Sequence, residues 1–132
     1  MPLPESREKS DECVFMESVI DTLPELRDVA DDHVLYFGEM MPHILMWDFA
    51  KVFLSKVIES PLDASFVRKF LAKMESGYSS GVDNVKGLVV VSFIENLMGE
   101  YEVVPIIEAF SSSEFSDLVK RVINYDMRPQ AQ

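Results

Sequence analysis

Two histidines, one cysteine and twenty-three carboxylates are the side chains of this 132-residue sequence from which acid–base, nucleophilic or metal chemistry could be assembled. Their spacing does not assemble it. His33 and His43 fall in different expected helices. His43 and Asp48 are five residues apart and diverge around a helix, where metal ligands would have to align. Glu39 and His43 stand at i, i+4 but straddle Pro42, where a helix begins. His43 is therefore read as a first-turn residue stacked near Trp47. Cys13 precedes an apolar stripe without a basic neighbour, which suits a small hydrophobe; a nucleophilic Cys–His pair with His43 is the alternative. The five glycines are dispersed at expected helix ends, with no phosphate-cradling loop and no Gly-x-Ser-x-Gly. The expectation is a protein with no catalytic residue, no metal and no cofactor.

Three further features invite chemistry and have plainer readings beside them. Glu95 lies in a strongly apolar stretch, on the stripe of Asn84, Leu88 and Val91. Buried, it would be a carboxyl of raised pKa fit for general acid work; its polar neighbours favour a solvent-facing edge instead. Trp47 and Lys51, at i, i+4, have cation–π spacing, and Met16, Met40, Met41, Met46 and Met74 could form a soft groove. Both sets also have the spacing of ordinary core.

Charge is more informative. Residues 1–39 contain eleven carboxylates and three bases (Arg7, Lys9, Arg27), which leaves that segment at −8 of the chain's −11. A second stretch carries Glu95, Glu100, Glu102, Glu108, Glu114 and Asp117 with no Lys or Arg among them. A field of this sign repels phosphate backbones and speeds the approach of basic partners, so direct nucleic acid binding is not expected. The bland alternative is a solvated face. Two partner-binding patches are expected: Asp28, Asp31 and Asp32 in the second helix, and Glu100, Glu102 and Glu108 after the fifth, with Glu95 beside the latter. The second patch is favoured, because Arg27 dilutes the first.

The elements that would carry these residues repeat near 3.6 and almost nowhere at 2. Phe15, Met16, Val19, Ile20 and Leu23 mark a first helix, with Asp11 and Glu12 at its positive end. Thr22-x-x-Glu25 is expected as a capping box for a second helix over residues 23–37, with Pro24 in its first turn and Gly38 as its stop. Pro42 and Pro61 bracket a largely buried third helix over 43–59, with a narrow polar strip of Asp48, Lys51 and Ser55. Asp63 caps a fourth, whose stripe is Phe66, Val67, Phe70, Leu71 and Met74, with Gly77 as its expected end. Residues 82–98 are apolar nearly all round. The run 88–94 has the composition of a buried strand, but the length and the flanking Gly81 and Gly99 favour a central helix. Helices over 104–110 and 113–125 follow, divided by a Ser111-x-x-Glu114 box. The fold class expected is all-α: one domain of about six to seven helices, as a bundle or a HEAT-like stack of pairs, with residues 1–10 and 127–132 as flexible tails. The polar stretch from Met1 to Glu12 is not that of a signal peptide, and the longest near-apolar run, Gly87 to Ile94, is far below the roughly twenty residues needed to span a bilayer. The lone Cys13 suits a reducing compartment, so a cytoplasmic protein without membrane contact is expected.

The third and fifth helices carry a resemblance. Met41-Pro-His-Ile-Leu-Met-Trp-Asp-Phe-Ala-Lys-Val-Phe53, followed by Val85-Lys-Gly-Leu-Val-Val-Val-Ser-Phe-Ile-Glu-Asn-Leu97, resembles a family of small bacterial all-helical proteins over roughly residues 15–110. The motifs concerned are a Leu-Pro-His-hydrophobic…Asp-Phe helix start and a hydrophobic-Ser-Phe-hydrophobic-Glu-Asn-Leu helix. They mark Pro42, His43, Asp48, Phe49, Ser92, Phe93, Glu95, Asn96 and Leu97. Several members of such families look like immunity proteins, which block polymorphic or contact-dependent growth inhibition toxins in the cytosol. The resemblance implies a non-enzymatic binder of a cognate toxin. A basic nuclease suits the acidity, because its phosphate-gripping site is what an acidic protein covers fastest. The alternative is a structural or adaptor helical domain with no toxin partner.

Overall fold

The computed structural model describes residues 9–59 and 62–127. Residues 1–8 and 128–132, which make up most of the expected tails, and Pro61, expected beyond the third helix, lie outside the described residues. Among those described there are seven α-helices, short 3-10 turns and no strand.

Helix α1 (Asp11–Thr22) starts where Ser10 Oγ accepts the Cys13 N–H at 3.1 Å, and it buries the expected stripe of Phe15, Met16, Val19 and Ile20. The Thr22–Glu25 box does not form. Thr22 ends α1 and donates its hydroxyl to the Ser18 carbonyl at 3.0 Å, a local helical acceptor that competes with any capping role. A 3-10 turn (Pro24–Leu26) then leads into α2 (Arg27–Phe37), which Gly38 closes in the left-handed region at φ +83°. Pro42 opens α3 (Pro42–Ile58), as expected. Its exposed stripe is wider and more apolar than expected, with Ile44, Trp47, Lys51, Ser55 and Ile58 facing out, because neighbours cover only the side bearing Leu45, Met46, Phe49, Ala50 and Phe53.

Asp63 caps α4 (Ala64–Ser79), accepting the Phe66 N–H at 3.3 Å, and the expected stripe is fully buried. Gly77 does not stop this helix. It lies inside it, buried against the Phe15 ring, and the reversal is made by Gly81 at φ +81°. The next run is helical, as expected, but changes hydrogen-bond register twice: α5 (Asp83–Gly87), a π-helical segment (Leu88–Phe93) and a 3-10 turn (Ile94–Leu97). The π segment contains the β-branched row Val89, Val90, Val91, residues that slightly disfavour a regular α turn. Helices α6 (Val104–Phe110) and α7 (Ser113–Val122) follow; α7 ends three residues before the expected 125, and a 3-10 turn (Tyr125–Met127) lies beyond it. The cap between them is one residue later than expected. Ser112 accepts the Phe115 N–H at 3.1 Å, while Ser111 bonds back to the Ile107 carbonyl.

One hydrophobic cluster joins all these elements. At its centre Phe53 of α3, Phe70 of α4 and Phe93 of the π segment meet pairwise, with ring centroids 5.1–5.3 Å apart. Helix α1 lies against α3, α4 and α5 instead of its sequence neighbour alone, which is a bundle around one core and not a stack of pairs. No helix among the described residues is long and apolar enough to cross a membrane.

Candidate functional site

Helix α2 touches the core through a narrow strip, the buried Ala30 and His33 with the half-buried Val29, continuing from Leu26 of the preceding turn. His33 accepts the Met41 N–H on Nε2 at 2.9 Å, tying α2 to the start of α3. On the far side Asp28, Asp31, Asp32 and Leu35 follow one another at i, i+3, i+4 and i+7, so they form a single outward row. None of the three aspartates has an ion pair or hydrogen bond among the described residues. Arg27, expected to dilute them, reaches back to Asp21 of α1 at 3.3 Å. The last turn then exposes a run of large apolar side chains: Val34, Leu35 at 85%, Tyr36 at 76% and Phe37. Rings of His33, Phe37 and Tyr36 follow one another at 4.8 Å centroid spacings across that turn.

The second patch is different in space from its appearance in sequence. Glu108 is paired with Lys120 of α7 at 2.6 Å, and Asp117 approaches the same ammonium at 3.8 Å. The hydrogen bond from Lys120 to Glu108, with the nearby negative charges, raises the Lys120 pKa above its ordinary value. A hydrogen bond between Glu100 and Glu102, helped by burial and by the Glu102 charge, raises the Glu100 carboxyl pKa. The base-free stretch of sequence is therefore partly neutralised by a lysine from another helix. Glu95 is exposed, as the solvent-edge reading expected, and lines a shallow groove with Trp47, Val91 and Asn96.

The motif residues of α3 and the π segment do meet. His43 shares a hydrogen bond through Nδ1 with Ser92 Oγ, and its Nε2 stands 3.3 Å from Glu12 Oε2 of α1. Asn96 donates to the Ser92 carbonyl at 2.7 Å. His43 therefore bridges three elements and is not stacked on Trp47 as expected. The cation–π contacts likewise fall elsewhere than Trp47–Lys51, at Lys56–Phe66, Arg68–Phe110 and Lys86–Tyr78. No sequence spacing could have joined Glu12, His43 and Ser92, which come from three helices. An acid–His–Ser order has the composition of a nucleophilic relay, but Ser92 is only 1% exposed, where a structural role suffices to account for it. Its hydroxyl acts as a pin. Replacing His43 with alanine is expected to leave that buried hydroxyl unpaired and cost about 1–2 kcal/mol in urea unfolding, whereas Ser92→Ala leaves only a half-exposed imidazole that water can serve and should cost under about 1 kcal/mol.

Among the described residues no group of three or more His, Cys, Asp or Glu side chains is placed to hold a metal ion. Cys13 is half-buried and free. An open groove of about 460 Å³ between α4 and the α6–α7 corner is lined by residues that include Arg68, Glu75, Ser79, Phe110 and Ser112. Glu75 already accepts the Ser112 N–H there at 3.1 Å, so a carboxylate of the chain itself occupies the start of α7.

These features define a class: an all-α single-domain protein that carries an acidic and apolar helix face on its surface. The chain belongs to the family described as a domain of unknown function (DUF7674), which it matches over residues 16–124. No curated protein matches it. No solved structure matches it either.

Proposed function

We propose that this protein is a non-enzymatic, cytoplasmic immunity protein that binds and neutralises a basic protein toxin, a nuclease domain being the partner its charge suits best. The observation that carries the reading is the outward row of α2, in which three unpaired aspartates run into an exposed apolar turn. Exposed acid by itself serves solubility; acid beside exposed apolar side chains is the make-up of a protein-binding surface, where charge sets the rate of encounter and apolar contact sets its lifetime. The chain's −11 adds a long-range field of the sign that draws a phosphate-gripping site in. The resemblance of the α3 and π-segment motifs to immunity families points the same way.

Co-purification from the native operon, followed by expression of the captured partner alone and together with this protein, tests the reading. The expected result is a basic partner that stops growth alone and not in the pair, with an association rate that falls steeply between low and physiological salt. A captured partner that is harmless to cells lacking this protein would instead make it an adaptor.

A further inference from the structure

We infer that the C-terminal turn of α2 is the docking face itself, and that it takes an amphipathic cationic segment: an apolar side chain seated over Leu35 and Tyr36, flanked by Arg or Lys opposite Asp28, Asp31 and Asp32. This rests on the reading of the protein as a binder of a basic partner and names the part of that partner it grips.

The apolar half of the argument is the unpartnered helix face. Helix α2 presents Val34, Leu35, Tyr36 and Phe37 to solvent in succession, although helix periodicity would place polar residues on the outer positions. Leu35 and Tyr36 stay largely open to solvent, with Tyr36 meeting the Phe37 ring beside it. The charge half selects the occupant. Leu35 lies seven residues beyond Asp28 on the same row, roughly 10 Å along the helix axis. A complementary segment therefore needs its bases within about that distance of its apolar anchor, as on one face of two helical turns. A second copy of this chain would bring the same aspartate row and the same net −11 to the contact, with Arg27 engaged by Asp21. Like-charge juxtaposition opposes that pairing.

The probe is a synthetic eighteen-residue helical peptide of Leu, Arg and Ala, with Leu and Arg on one face, and a control peptide of equal composition with the order scrambled. Amide shifts on titration into the whole protein should concentrate at residues 28–37, and the scrambled peptide should bind at least about fivefold more weakly. Leu35→Ser with Tyr36→Ser should weaken binding about tenfold with an unchanged thermal melt, because both side chains are exposed. Asp28→Asn, Asp31→Asn and Asp32→Asn together should flatten the salt dependence, while Glu100→Gln with Glu102→Gln should change nothing. Shifts spread evenly over all acidic surfaces, equal binding of the scrambled peptide, or dimerisation of the free protein through this turn would overturn the proposal. A toxin neutralised equally well by the Leu35, Tyr36 variant would overturn the docking face and leave the immunity reading intact. Peptide binding at α2 without any toxic partner would do the reverse.

Discussion

Replacing Phe70 with alanine is expected to remove about 3–5 kcal/mol of folding stability, and with it most of the margin of a domain this size. Phe70 is fully buried and its ring meets three others: Phe66 one turn away in α4 at 5.9 Å, Phe53 of α3 at 5.1 Å, and Phe93 of the π segment at 5.2 Å. The rings of Phe53, Phe66 and Phe93, held by three separate elements, border the resulting cavity and are stiff, so the site cannot readily collapse to refill it. Phe15→Ala offers the contrast, because that ring sits at the edge of the core with some solvent contact and the gap it leaves can be partly closed or wetted. Equilibrium urea unfolding followed by circular dichroism should show the Phe70 variant losing clearly more than the Phe15 variant, with a melting point about 10 °C or more below the wild type. A loss under about 1.5 kcal/mol would mean that the aromatic centre is loosely packed.

The helices were legible because each has one dense apolar stripe and a backbone reason to begin or end. Pro42 opens α3, Asp63 caps α4, and Gly38, Gly81 and Gly99 occupy left-handed positions that other residues enter at a cost. The misreadings cluster where two local hydrogen bonds compete. Thr22 and Ser111 each had a capping pattern, and each hydroxyl instead found a carbonyl four residues back, in the helix that it ends or follows. The π segment had only a weak signal, the three consecutive valines of 89–91, because a register change of one residue leaves the apolar pattern almost untouched.

The surface was legible in residue type and not in arrangement. Counting along the chain favours Glu100, Glu102 and Glu108 over the α2 aspartates, but the charge balance in space differs: Lys120 arrives from α7 beside Glu108, and Arg27 turns away to Asp21. Nor could composition reveal that Leu35 and Tyr36 face water. Leu35 continues the row of Asp28, Asp31 and Asp32 at i+7, so its outward position follows from helical spacing, whereas the exposure of Tyr36 and Phe37 follows from how little of α2 its neighbours cover. The Glu12, His43 and Ser92 bridge is non-local in the same way.

Gly77→Val is expected to cost about 2–3 kcal/mol, against the rule that replacing a glycine inside a helix stabilises it by up to about 1 kcal/mol. A Cβ at position 77 would lie 2.7 Å from Cε1 and Cζ of Phe15 and 3.2 Å from Cγ1 of Val85, so α1 and α5 both press on this point of α4. Alanine is the finer test. It gains the helix propensity term, and the atoms it strikes are the far end of a ring that can swing outward at the expense of its burial, so Gly77→Ala should be destabilising by no more than about 1–2 kcal/mol. Valine adds two methyls, and no single rotation of Phe15 clears them from both neighbours. Shortening the ring should rescue the site: Phe15→Leu vacates the space that the new side chain needs. The Gly77→Ala, Phe15→Leu pair should then be more stable than the sum of the single losses by about 1 kcal/mol, a coupling measurable in a double-mutant cycle. Strict additivity would show that Gly77 is small for some reason other than the approach of Phe15, and the packing of α1 on α4 would need another account.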